Sequence, residues 1–121
     1  MAQFRYIVHD VQAAVDFYTG PLAFTLIEQY GPAMAILNKG DLDLWVAGPP
    51  ASASRPMPDG AQPVPGGWNR IVISVEKLEE LSAKLREQGV VFRNEIVAGP
   101  GGRQILCSDP SGNIVELFEP V

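Results

Sequence analysis

Few side chains in this sequence of 121 residues have the chemistry of a catalytic or metal-binding group. With one histidine, His9, and one cysteine, Cys107, the chain cannot build a metal site rich in nitrogen or sulfur ligands. Ser74 has only His9 as a base that could activate it. The glycines at 99–102 precede a predicted strand rather than a helix, so they form a turn and not a phosphate loop. The remaining candidates are carboxylates and arginines.

Glu116 is the carboxylate with the most unusual surroundings. In the last predicted strand, period-two alternation places it on one face between Ile114 and Phe118. Turn residues at 109–113 and an apolar run at 105–107 come before it, which predicts a hairpin. Two interpretations remain open: a charge that protects an edge strand from aggregation, or an acid within a ligand cavity.

The composition indicates an acidic globular protein. The net charge is −5, and the nine lysines and arginines are scattered, which argues against a nucleic-acid partner. No apolar run approaches the ~20 residues of a membrane span, and no signal-peptide pattern opens the chain. A lone cysteine in an apolar run excludes an internal disulfide and indicates a core residue in a reducing cytoplasm.

The same order of elements is predicted twice along the chain. In the first half, a strand at 4–8 leads to a helix at 11–19, capped by Asp10, and to strands at 24–29, 33–37 and 41–46. The second half repeats this order, with a strand at 70–75, a helix at 78–88, and strands at 90–94, 104–107 and 114–118. This pattern indicates a duplicated βαβββ module.

Two such modules predict a single α+β domain over residues 1–121. Module one covers about 3–47 and module two about 68–120. We expect their strands to form a curled eight-stranded mixed sheet around a shared concavity, with the helices on the outer face. The connection at 48–67 holds six of the eleven prolines, and it is either a tether, which we favour, or a rim over a binding cavity.

Strand alternation predicts which side chains face that concavity. They combine apolar surface with a few polar groups, which is typical of a ligand pocket. The predicted pocket residues are Gln3, Arg5, Asp43, Trp45, Trp68, Arg70, Ser74, Arg103, Glu116 and Phe118. Alternation leaves one ambiguity, because either Arg103 or Gln104 can face inward from the strand at 102–107.

The paired modules resemble the vicinal oxygen chelate superfamily, which includes glyoxalase I, bleomycin-resistance proteins, fosfomycin-resistance enzymes and extradiol dioxygenases. The resemblance covers essentially the whole chain. It is carried by Asp10 leading to Phe17-Tyr18 and by the ending Asp109-Pro110-Ser111-Gly112-Asn113-Ile114-Val115-Glu116-Leu117. It implies the paired-module fold and a homodimer with shared sites.

In metal-dependent members of that superfamily, the ligands come from the first and fourth strands of each half. The matching positions here hold Gln3, Asp43, Arg70 and Glu116. Arg70 departs from the pattern, because a guanidinium stays protonated and has no lone pair for a cation. We therefore favour no cofactor and expect Arg70 to form an ion pair with the carboxylates. A Mg²⁺ or Mn²⁺ site made of oxygen ligands from the other three residues is the alternative.

The predicted function is metal-free binding of an aromatic or amphiphilic small molecule, such as sequestration of a drug or natural product. Trp45, Trp68 and Phe118 would offer stacking surfaces. The alternative is a metal-dependent lyase, isomerase or dioxygenase acting on a substrate with vicinal oxygens, and Glu116 is the candidate base if the protein is an enzyme. A third hypothesis is a domain that has lost its ligand and serves only as an interaction partner.

Overall fold

The predicted order of strand, helix and strands occurs twice in the computed structural model, which describes all 121 residues. The chain forms two compact units, Met1–Gly66 and Gly67–Val121. The first unit contains β1 (Phe4–Ile7), α1 (Val11–Thr19), β2 (Thr25–Tyr30), β3 (Met34–Lys39), β4 (Leu42–Ala47) and a 3₁₀ turn at Ser52–Ser54. The second contains β5 (Ile71–Ser74), α2 (Leu78–Glu87), β6 (Val91–Phe92), β7 (Val97–Gly99), β8 (Gly102–Ser108) and β9 (Ile114–Pro120).

The first unit is a four-stranded mixed sheet with the order β1-β4-β3-β2, in which β1 runs parallel to β4. Asp10 caps α1 as predicted, because its Oδ1 accepts the backbone N–H of Ala13 at 3.0 Å. The core residues of this unit come from one stripe of α1 and one face of the sheet. They include Val11, Ala14, Val15, Tyr18, Tyr6, Ala35, Leu37, Leu44 and Val46, all at most 5% exposed.

The second unit is a five-stranded sheet with the order β5-β9-β8-β6, and β7 pairs with β8. The α+β fold of two βαβββ modules is confirmed, but the prediction of one eight-stranded sheet is wrong: nine strands form two mixed sheets. The ninth strand arises because Val97–Gly99 folds back onto β8 through the predicted glycine turn. A three-residue strand beside Gly and Pro carries too little alternation to be recognised in the sequence.

The strand predicted at 90–94 is shortened to Val91–Phe92, and Asn94 supplies the reason. The backbone N–H of Arg93 still bonds to the carbonyl of Leu106 at 2.8 Å. One residue further on, the side-chain Oδ1 of Asn94 accepts the N–H of Leu106 at 2.9 Å. The Asn94 side chain therefore replaces a backbone carbonyl as the acceptor between the strands, and regular strand pairing ends there.

The turn that carries the family resemblance has a structural role. Asp109 is 4% exposed, and its Oδ1 accepts the backbone N–H groups of Ser111 and Asn113, each at 2.9 Å. Its Oδ2 accepts the side-chain amide of Asn113 at 3.0 Å. These bonds fix the hairpin between β8 and β9, and hence the register in which β9 presents Glu116.

The connection after β4 is irregular apart from its 3₁₀ turn, and it is pinned by its own hydrogen bonds. The Ser54 hydroxyl donates to the carbonyl of Gly48 at 2.7 Å, and the Gln62 amide donates to the carbonyl of Ser54 at 2.9 Å. No helix in the chain is both long and apolar enough to cross a membrane.

Candidate functional site

Arg70 and Glu116 form the best-defined polar contact among the predicted site residues. In the parallel pair of β5 and β9, Val72 lies opposite Glu116, and Arg70 shares the Val72 face because it lies two residues earlier. The Nε and Nη2 atoms of Arg70 donate to Oε1 of Glu116 at 3.0 and 2.9 Å. Nη1 of Arg70 also donates to the carbonyl of Trp68 at 3.3 Å.

This ion pair is largely withdrawn from solvent. The side chain of Glu116 is 9% exposed and that of Arg70 is 27% exposed. A carboxylate buried to this degree needs a charged partner, since desolvation without one is costly. Both Arg70 bonds end on Oε1, so Oε2 is the carboxylate oxygen that Arg70 does not engage.

The structure also resolves the ambiguity in β8. Gln104 lies opposite Phe118, two residues beyond Glu116, so it shares the face of the sheet that carries the ion pair. Ser74 lies opposite Phe118 on the neighbouring strand β5, so Ser74, Phe118 and Gln104 form one row across the sheet. Arg103 points to the opposite face, where it donates to the carboxylates of Glu79 and Glu119. The register thus separates Arg103 from the other predicted pocket residues of the second unit.

Trp68 has a cationic neighbour that was not among the predicted pocket residues. Its side chain is 66% exposed, and the Cζ atom of Arg93 lies 5.0 Å from the centre of its ring. Neither alternation nor a motif singled out Arg93, because it follows a strand only two residues long. Only the folded structure reveals this contact, because the two residues are 25 positions apart in the chain.

In the first unit, Arg5 and Trp45 form a similar stack. They are cross-strand partners in β1 and β4, and Cζ of Arg5 lies 5.1 Å from the centre of the indole ring. Asp43 lies on the same face of β4, and its Oδ1 accepts the Asn38 amide at 2.9 Å. Gln3 and Arg5 are exposed, while Asp43 and Trp45 are half-buried. This face combines an aromatic surface, a cation and a carboxylate.

His9 lies away from the predicted pocket residues and lines two open hollows in the first unit. The larger hollow has a volume of about 560 Å³ and is bordered by Gln29, Pro32 and Pro49. The smaller has about 250 Å³ and runs under the connection, beside Ser54 and Gln62. Neither hollow contains any of the residues predicted for the pocket.

The residues at the superfamily's ligand positions do not fit a divalent metal cofactor. In the second unit these positions hold Arg70, which has no lone pair, and Glu116, whose Oε1 is already bound by Arg70. In the first unit they hold the exposed amide of Gln3 and the carboxylate of Asp43, which is bound to Asn38. No group of three or more His, Cys, Asp or Glu side chains in the chain is arranged to hold a metal ion.

Comparison with known proteins agrees with this fold. Over residues 1–117 the chain matches the family model described as "Glyoxalase/Bleomycin resistance protein/Dioxygenase superfamily". No curated protein sequence matches it significantly.

Solved structures with the same fold include proteins of different activity. Lactoylglutathione lyase from Agrobacterium tumefaciens has a TM-score of 0.78 at 17% identity, over 98% of this chain and 92% of its own. The fosfomycin resistance protein FosX from Listeria monocytogenes has a TM-score of 0.75 at 16% identity, over 100% and 93%. TnmS3, an antibiotic binding protein from Streptomyces sp. CB03234, has a TM-score of 0.71 at 24% identity, over 100% and 97%. The family match and the shared fold show that the chain belongs to the glyoxalase/bleomycin resistance protein/dioxygenase superfamily.

Proposed function

We propose that this protein binds a small aromatic or amphiphilic molecule without a metal cofactor, as a sequestering protein for a drug or natural product. The observation that carries the proposal is the ion pair between Arg70 and Glu116, two residues at family ligand positions. The guanidinium of Arg70 binds the carboxylate of Glu116, which stands at a metal-ligand position of the superfamily. Its positive charge therefore lies where a metal cation would bind. The fold relationship to TnmS3, described as an antibiotic binding protein, supports this direction.

The two units each carry a surface suited to such a ligand. Trp45 in the first unit and Trp68 in the second provide flat apolar area, and each is stacked by an arginine. Phe118 and Ser74 extend the second surface beside Glu116. An aromatic ligand would gain stacking energy from the indoles, while polar groups fix its orientation. We propose a homodimer, as the resemblance implies, in the cytoplasm, as the lone cysteine indicates. A sedimentation mass equal to the 13.1 kDa of one chain would contradict the dimer.

The first test measures metal directly. We expect the purified protein to contain no stoichiometric metal and calorimetric titrations with Mg²⁺, Mn²⁺, Ni²⁺ and Zn²⁺ to show no saturable heat. The Glu116→Ala variant is the control, because it removes the strongest oxygen ligand. Stoichiometric metal in the wild type that is lost in Glu116→Ala would overturn the proposal and favour the lyase or dioxygenase alternative.

The second test measures ligand binding by tryptophan fluorescence. A library of aromatic natural products should contain compounds that quench the emission saturably. Trp45→Phe and Trp68→Phe identify which indole reports the binding, because each variant leaves one tryptophan. Quenching that never saturates, in the wild type and in both variants, would contradict a specific pocket.

A further inference from the structure

An open hollow of about 490 Å³ in the second unit is lined by two arginines and by none of the predicted pocket residues. The last turn of α2 contributes Arg86, and the segment that follows the edge strand β6 contributes Arg93. The full lining consists of Arg86, Val90, Phe92, Arg93, Asn94 and Glu95. None of these residues was singled out by the sequence.

Each of the two guanidinium groups lies near an aromatic ring. Cζ of Arg86 lies 5.0 Å from the ring centre of Phe92, and Cζ of Arg93 lies 5.0 Å from that of Trp68. A cation–π contact of this kind uses no N–H···O hydrogen bond, so N–H groups of the guanidinium can still donate to an acceptor. The rings restrict both side chains on one side, which reduces the entropy lost when an anion binds.

The charges around the hollow are not balanced. Arg93 forms no ion pair with any carboxylate in the structure, whereas Arg70 and Arg103 are both paired. Arg86 reaches Glu95 at 3.5 Å, but the Glu95 side chain is 88% exposed, so this pair is weak and easily displaced. The hollow thus holds two cations against one carboxylate, in a chain whose net charge is −5.

Asn94 adds a neutral donor to the two cations. Its Oδ1 is used by the backbone N–H of Leu106, which leaves the NH₂ group for another acceptor. A planar or tetrahedral group with several oxygens is the acceptor that two guanidinium edges and an amide match. Small apolar ligands gain little here, because the ring of Phe92 is already covered by Arg86.

We propose that this hollow binds the oxyanion group, a carboxylate or phosphate, of a small organic anion. Arg93 is the principal contact, because its charge has no internal partner. Arg86 is the second contact, and Glu95 competes with the anion for it. The lining of this hollow does not include Arg70 or Glu116, but Arg93 contacts Trp68 of the second proposed surface, so a ligand stacked on Trp68 would affect binding here.

The test is an NMR titration with sodium phosphate and, in a second series, sodium acetate, at an ionic strength held constant with chloride. We expect saturable shifts in the amides of residues 90–95 and in the indole N–H of Trp68, which contacts Arg93. Tighter binding of phosphate would identify the preferred oxyanion as a phosphate, and tighter binding of acetate would identify it as a carboxylate. Arg93→Gln should weaken binding by at least about tenfold, as expected for a charge-assisted hydrogen-bonded pair.

Two further variants make the test specific. Glu95→Gln should strengthen binding several-fold, because it removes the competing carboxylate and frees Arg86. Arg55→Gln, an exposed arginine in the connection, changes the net charge equally and should leave binding unchanged. The proposal is overturned if no saturable shift occurs, if Arg55→Gln weakens binding as much as Arg93→Gln, or if Glu95→Gln has no effect. Quenching of Trp45 by aromatic ligands remains a separate readout of the proposed function.

Discussion

At position 70, one arginine side chain determines how the buried carboxylate of Glu116 is held. Arg70 binds the same carboxylate oxygen with two nitrogens, at 3.0 and 2.9 Å. The pair is formed by residues 46 positions apart, so it depends on the correct pairing of β5 with β9. Its energetic value lies mainly in avoiding an unpaired buried carboxylate.

We predict that Arg70→Met lowers the free energy of unfolding by about 2 kcal/mol, because Glu116 is left buried without its partner. The double variant Arg70→Met with Glu116→Leu should recover most of this loss, since no charge remains buried. Urea denaturation of the wild type, both single variants and the double variant measures the coupling.

Arg86→Met is the matched control for this comparison of single and double variants. Arg86 also pairs with a glutamate, but both side chains are exposed, at 45% and 88%. Its loss should cost less than about 0.5 kcal/mol. Equal losses for Arg70→Met and Arg86→Met would show that burial of Glu116 does not decide the cost.

Among the elements, α2 depends on a residue far away in the chain for its N-terminal cap. The residue before the helix, Lys77, has a positive φ of 52° and offers no side-chain cap. Instead the carboxylate of Glu119, from β9, accepts from Nε of Arg103 at 3.1 Å and places its charge beside the backbone N–H groups of Leu78 and Lys77 at the helix start. Mainly through the hydrogen bond from Arg103, these contacts lower the pKa of Glu119 below its usual value of 4.5.

This cap predicts a pH-dependent contribution to stability. A carboxylate whose pKa is lower in the folded state stabilises the protein above its unfolded pKa, and the effect is lost as the pH falls through the folded value. Glu119→Gln should therefore be less stable than the wild type at pH 7, and the difference should shrink as the pH falls below about 4.5. Urea denaturation at pH 7 and at pH 3.5 checks this expectation.

Glu87→Gln, at the other end of α2, is the control for the loss of one negative charge. Its effect should not follow the same pH profile. A gap between Glu119→Gln and the wild type that stays constant with pH would contradict a role of the Glu119 charge in capping.

At the scale of the whole molecule, the division into Met1–Gly66 and Gly67–Val121 predicts where a protease will cut first. Residues 55–62 are exposed and contain no helix or strand. Limited digestion with a protease of broad specificity, followed by mass spectrometry, should release two fragments that meet between residues 55 and 68. First cleavage in the turn between β2 and β3 would contradict this order. Protection of the connection by a bound ligand would favour its role as a rim.

The sequence predicts elements and faces well where periodicity is strong. The alternation in β9 and the match between the two halves were sufficient to match Arg70 with Gln3 and Glu116 with Asp43, and to predict that Arg70 pairs with a carboxylate. The face of Arg103 could not be predicted, because an apolar run such as Ile105-Leu106-Cys107 fits either parity. The Glu119 cap and the contact of Arg93 with Trp68 were also out of reach, since both join residues that only the folded chain brings together.

The hairpin held by Asp109 and the ion pair of Arg70 with Glu116 are built from separate contacts, so one can be changed without the other. Replacing the guanidinium by an imidazole, as in Arg70→His, would supply a lone pair and release the Glu116 carboxylate. This substitution leaves the hydrogen bonds of Asp109 that hold the hairpin unchanged, because they lie outside the ion pair. A change at position 70 would therefore alter the charge and the donor atoms next to Glu116, while the turn that sets the register of β9 is left untouched.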